Sequence, residues 1–185
     1  YMAYENQKVS LIEKLLAGKE LPSVIIFTST KRAADEIETR LQKRDLDARA
    51  IHSDLDQEKR EETLRLFKNR KFQIMVATDV MARGIDIVGV SLVINYAVPK
   101  DPEDYIHRIG RTARAAETGI AITLISDQDQ REFQRIEQLL EKEIPKQPLP
   151  AELGEGPTYD PAKNKGRGYG RGPKGKGGGR RHSGG

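Results

Sequence analysis

The strongest constraint on the fold is a regular exchange along the chain. Short apolar runs rich in β-branched residues alternate with longer segments whose apolar residues recur at helical spacing. Residues 6–17 place Val9, Leu11, Ile12, Leu15 and Leu16 on one side of a helix, with Gly18 as its C-terminal cap. Residues 24–27 are a buried strand, and Thr28, Ser29 and Thr30 offer hydroxyl caps to a helix over 31–44. Residues 48–51, 72–77, 92–95 and 120–125 repeat the strand pattern. A helix over 57–68 has Asp54 or Asp56 as its cap, and 78–86 is a loop with at most one helical turn. Asp101-Pro102 starts a helix to 109, and Ser126 caps a last helix through Leu140, stopped by Pro145. Strands and helices at this spacing predict an α/β fold, a three-layer parallel sheet with helices on both faces. Such a sheet carries its working groups on loops at the carboxyl ends of its strands.

Composition divides the chain at about residue 147. Residues 1–147 are expected to form one domain, and residues 148–185 a linker and a disordered basic tail rich in Gly, Arg and Lys. The net charge of +4 comes from 32 basic and 28 acidic residues. Beyond Asp160 stand Lys163, Lys165, Arg167, Arg171, Lys174, Lys176, Arg180 and Arg181 with no acid, so the globule before them is net acidic. A basic tail on an acidic globule points to a polyanion partner, against the plainer reading of a solubilising tail. The chain has no cysteine, and His52, His107 and His182 are scattered, so no metal site is expected. No apolar run approaches the ~20 residues of a membrane span, which predicts no membrane partner and a cytoplasmic location. The chain enters at Tyr1 almost directly into a helical pattern, as expected of a piece of a longer protein.

The most informative segment is Tyr105-Ile106-His107-Arg108-Ile109-Gly110-Arg111-Thr112-Ala113-Arg114. If the helix continues through it, His107, Arg111 and Arg114 share one face. Arginines grouped without acidic neighbours repel one another unless an anion lies between them, and the guanidinium fork suits phosphate. A solvated basic helix face is the plainer alternative, and Gly110 argues against it by removing bulk where a ligand or backbone would approach.

This segment resembles the HRIGRxxR motif of DEAD-box RNA helicases. Ala77-Thr78-Asp79-Val80-Met81-Ala82-Arg83-Gly84-Ile85-Asp86 resembles the family's ATDxxARGxD motif, Gln57-Glu58-Lys59-Arg60 its QxxR element, and Ile25-Ile26-Phe27-Thr28-Ser29-Thr30 its IIFxxT element. The motifs occur in family order, and His107 favours DEAD-box over DEAH-type relatives. The resemblance implies a RecA-like domain. In it Arg111 and Arg114 are arginine fingers at the γ-phosphate, with Arg108 in the same catalytic set. His107, Arg108 and Arg83 join the arginine motif to an N-terminal RecA-like partner domain. Asp86 meets the ATP ribose with Gly84 beside it, and Thr30, Gln57, Arg60 and Thr78 lie on an RNA-facing surface. The chain departs from the pattern at Ala113 and Ser53, where glycine is common. Ala113, the segment 139–145 and the Gly/Arg tail resemble the RhlE-like branch.

A nucleotide motor also needs a phosphate-cradling loop and a carboxylate for Mg²⁺. Residues 170–177 come near such a loop but lack the hydroxyl after lysine and follow no strand, and no DEAD run occurs. The resemblance therefore implies half of an ATP-dependent RNA helicase, inactive alone, with ATP and Mg²⁺ bound mainly by the N-terminal half. RNA and that domain are the expected partners, and ribosomal or RNA-decay components are left open. A stand-alone RNA-binding or annealing module, using the basic tail with Tyr169 as a stacking residue, is the alternative.

Overall fold

The computed structural model describes residues 1–83, 86–112 and 119–163. Five parallel strands form one sheet: β1 (Val24–Thr28), β2 (Ala48–Ile51), β3 (Ile74–Thr78), β4 (Leu92–Asn95) and β5 (Ile120–Thr123), in the order β2-β3-β1-β4-β5. Helices α1 (Glu5–Leu16), α2 (Lys31–Gln42), α3 (Gln57–Lys68), α4 (Asp79–Ala82), α5 (Pro102–Ile109) and α6 (Gln130–Leu140) complete the layers.

The strands β1, β3 and β4 are continuous apolar runs because both faces of the sheet are covered there. In β1, Val24 and Ile26 join Leu11, Ile12, Ile37, Leu41, Val76 and Ile94 on one face. Ile25 and Phe27 join Phe67, Phe72, Met75 and Val93 on the other. A third cluster, of Val98, Tyr105, Ile125, Phe133 and Ile136, seats α5 and α6.

Several expected ends move. Gly18 has the positive φ (66°) of a helix stop, as expected. Asp56, not Asp54, caps α3 by accepting from the Lys59 N–H at 2.8 Å. Ser126 does not cap α6, which begins at Gln130. Its hydroxyl instead donates to the Asp129 carboxylate at 2.8 Å and accepts from the Gln128 N–H, which holds a turn before the helix. α5 ends at Ile109, where expected, and does not continue through Arg111. Gly110 caps it, and the Arg111 and Thr112 amides turn back to the Arg108 and Ile109 carbonyls. His107 and Arg111 therefore do not share a continuing helical face.

The chain after α6 also differs from expectation. Residues 148–163, read from composition as the start of a linker, lie packed on the domain. Ala151–Leu153 form a 3₁₀ turn, and Gln7 Nε2 donates to the carbonyls of Leu153 and Glu155 at 2.8 and 3.1 Å. Gln130 accepts from the Asp160 N–H and donates to the Thr158 carbonyl, and Tyr159 stacks edge-on against Phe133 with centroids 6.2 Å apart. A few well-placed apolar and amide groups hold a segment that its polar composition marks as free. The basic residues from 165 onward lie outside the described residues.

Candidate functional site

Four of the five strands end in a polar residue: Thr28, Thr78, Asn95 and Thr123, all buried. These mark the carboxyl edge of the sheet. β3 and β4 lie on opposite sides of β1, so the chain reverses its winding direction there and leaves a crevice above the strand ends.

A cavity of about 390 Å³ fills this crevice, lined by Phe27, Asp79, Arg83, Asp104, His107, Arg108 and Arg111. Arg108 forms its floor. Its side chain is only 3% exposed, and Nη1 donates to Asn95 Oδ1 at 3.1 Å and to the Ala97 carbonyl at 2.8 Å. Nη2 pairs with Asp79, the first residue of α4, and the guanidinium lies 5.1 Å from the centroid of the Phe27 ring. Burial pushes the Arg108 pKa down and Asp79 works against it. An arginine so far above neutrality stays charged. Its Nε is buried without a hydrogen-bond partner.

Arg83, mostly exposed at the rim, donates to Asp104 Oδ2 at 2.9 Å, and that bond holds its pKa above the usual value. Both carboxylates of the cavity are thus already bound to arginine. With three arginines against two carboxylates, and with Phe27 and His107 beside them, the lining is net cationic and aromatic, a surface that suits phosphate oxygens rather than a hard divalent cation. Among the described residues no group of three His, Cys, Asp or Glu side chains is placed to hold a metal ion.

The structure thus brings together Arg83, His107, Arg108 and Arg111. Asp86 is exposed and lines a separate cavity of about 220 Å³ with Ser23, Lys68 and Arg70 near the amino ends of β1 and β4. Gly84 and Arg114 lie outside the described residues.

The residues expected on an RNA surface sit at the same edge. Thr30 caps α2, accepting from the Ala33 N–H at 3.2 Å, while its own N–H and carbonyl are tied to the Thr28 hydroxyl. Thr78 stands beside Thr28 in register and starts α4. On the first turn of α3, Arg60 Nη2 donates to Gln57 Oε1 at 2.7 Å and Nη1 lies 3.6 Å from Met81 Sδ. Gln57 in turn donates to Glu61 at 2.6 Å.

Sequence reasoning passed over Asp79, Asn95 and Asp104, although Asn95 was readable as a polar residue closing the apolar run of β4. It also passed over Lys8, a helix lysine 1% exposed that bonds the Tyr96 carbonyl at 2.9 Å, Asp129 at 3.2 Å and Glu5 at 2.6 Å. Among the described residues no helix is long and apolar enough to cross a membrane.

A parallel sheet with an arginine-lined crevice at its reversal point defines an α/β domain with an anion-suited site, and known proteins give its family. Residues 7–116 match the helicase conserved C-terminal domain. The chain is 43% identical over 159 residues to the ATP-dependent RNA helicase CshA of Listeria monocytogenes, covering 86% of this chain and 29% of CshA. Its fold matches the E. coli DEAD-box protein SrmB with a TM-score of 0.73 at 30% identity, covering 85% of this chain and 91% of that one. It matches S. cerevisiae Dbp5, in a structure bound to RNA and ADP BeF3, with a TM-score of 0.68 at 32% identity, covering 74% and 37%. This chain belongs to the helicase conserved C-terminal domain family, as the C-terminal RecA-like domain of DEAD-box proteins. It spans less than a third of the length of CshA.

Proposed function

We propose that this domain is the C-terminal half of an ATP-dependent RNA helicase that unwinds or remodels short RNA duplexes. The observation that carries the reading is the convergence of Arg83, His107, Arg108 and Arg111 on one cavity at the reversal point of the sheet. Arg111, with Arg114, reaches the γ-phosphate of an ATP held with Mg²⁺ mainly by an N-terminal RecA-like domain. Arg108 is the buried base of that arm, and His107 and Arg83 face the partner domain. The family motif gives the ribose to Asp86 with Gly84 beside it, which requires the loop after α4 to carry Asp86 from its separate cavity toward the crevice. Thr30, Gln57, Arg60 and Thr78 hold RNA phosphate and sugar, contacts that carry little sequence information. Ala113 and the basic tail support placement in the RhlE-like branch, with a cytoplasmic site of action.

The chemistry follows from charge. Phosphoryl transfer spreads negative charge over the transferred group, and an arginine finger there contributes roughly 10³–10⁵ in rate. It does so only when another site has already bound ATP and the metal, so closure of two domains is part of the reaction. The test is ATP hydrolysis by the chain alone, then joined to its nucleotide-binding domain with RNA. Turnover is expected only in the joined protein, where Arg111→Ala abolishes it while ATP still binds. Strong hydrolysis by the isolated chain, or lost ATP binding with normal turnover per bound ATP, overturns the assignment.

A further inference from the structure

His52 is buried at the carboxyl end of β2 and has no part in the reaction above. Its ring is bonded on both sides. Nδ1 accepts the Asp54 N–H at 3.3 Å, and Nε2 lies 2.7 Å from Asp35 Oδ1, so the proton sits on Nε2 and is donated to Asp35. Asp35 belongs to α2, the helix that Thr30 caps. Asp54 belongs to the loop that delivers Asp56, the cap of α3, and then Gln57 and Arg60. The imidazole therefore spans the two segments that carry these groups.

A second link joins the same segments, since Lys31 Nζ lies 2.8 Å from Asp54 Oδ1. Both partners there are more than half exposed, and a pair so screened by solvent is too weak to set a spacing alone. The buried ring is the stiffer connection, since its rotation is fixed by packing and by a bond at each nitrogen. Groups that grip a repeating phosphate–sugar backbone must be held within roughly 0.5 Å to meet successive units.

We propose that His52 is a positioning residue for RNA: with Asp35 it braces the Thr30 turn against the start of α3, so that one stretch of RNA backbone meets Thr30, Gln57 and Arg60 at a fixed spacing. The brace rests on the RNA-surface reading above. Its substrate is the backbone of RNA rather than any base sequence.

The test uses the enzyme containing this chain and its nucleotide-binding domain, with ATP hydrolysis followed against poly(U) concentration. Asp35 is 56% exposed, so Asp35→Ala removes the bond without opening a core cavity. Asp35→Ala and His52→Ala are each expected to raise the half-saturating RNA concentration about tenfold, the worth of one hydrogen bond. Turnover at saturating RNA should stay within about twofold and the half-saturating ATP concentration should not move. The double variant should be no worse than either single one, and His52→Gln and Asp35→Asn, which keep a hydrogen bond, should recover most of the affinity. Should His52→Ala fail to fold, the Asp35 pair decides. An unchanged RNA dependence in Asp35→Ala overturns the brace, as does an equal fall in saturated turnover. Arg60→Ala separates the two readings. If it weakens RNA while Asp35→Ala does not, only the brace is lost; if neither weakens RNA, the RNA surface itself is misplaced.

Discussion

Arg108 and Asp79 are partners across the carboxyl edge of the sheet, one from α5 and the other from the first position after β3. The pair ties the arginine segment to the loop that carries Arg83. It also keeps a charged guanidinium in a place where bare desolvation would be costly.

Removing Asp79 should hurt more than removing an ordinary surface acid. Asp79→Ala leaves the Arg108 charge buried with only neutral acceptors, Asn95 and the Ala97 carbonyl. Breaking one side of a buried pair costs about 3–5 kcal/mol, and Asp79 is 34% exposed, so about 2–3 kcal/mol is expected. Urea unfolding of Asp79→Ala against Asp79→Asn checks this, with Asn expected to recover part of the loss.

Glu137 predicts an acid-sensitive contact. Burial alone would raise its pKa. The Lys146 ammonium, the Ile144 N–H and the Tyr159 hydroxyl outweigh that and hold it below the usual carboxylate value. A depressed folded pKa gives stability that is present above the unfolded value, about 4.3, and is lost as pH falls through the folded one. Glu137→Gln should thus destabilise at pH 7, by about 1–2 kcal/mol. The gap to wild type should begin to narrow as pH falls through the unfolded value, about 4.3, and close only below the depressed folded one. Urea midpoints measured over that range decide it; a gap independent of pH would show that the carboxylate charge is not what matters.

Gly156 tests the packed segment. A Cβ built there would lie 2.0 Å from the Met2 carbonyl oxygen, so backbone has to move. Gly156→Ala should cost roughly 1–3 kcal/mol and free residues 148–163 from the domain. Limited proteolysis is the measurement, with cleavage between Lys146 and Lys163 faster than in wild type while the sheet stays protected.

Deleting residues 161–185 removes the eight basic residues of the tail. RNA affinity should weaken and its dependence on salt should flatten, since each lost phosphate contact removes about one unit from the slope of log K against log salt. A filter-binding titration from low to moderate salt measures both. An unchanged slope would leave the tail a solubiliser.

Much of this protein could be read from its residues. The all-parallel sheet followed from the continuous apolar runs at β1, β3 and β4, because only strands buried on both faces dispense with alternation. His107, Arg108 and Arg111 were legible as a set from the motif they resemble, while the shared helical face drawn from spacing, for His107, Arg111 and Arg114, does not extend past Ile109. Local preference failed where a side chain found a distant partner. Ser126 reads as a helix cap but is bound to Asp129.

By itself, then, the sequence determined which segments are strands and helices and where the arginines cluster along the chain, since periodicity and side-chain type are local properties. Only the tertiary structure decided that Arg108 is buried on Asp79 and Asn95, that Lys8 reaches Asp129, that His52 spans α2 and the β2–α3 loop, and that residues 148–163 lie on the domain. Each of these joins residues far apart in the chain. Their free energy comes from burial and pairing that exist only once the sheet has brought the partners together.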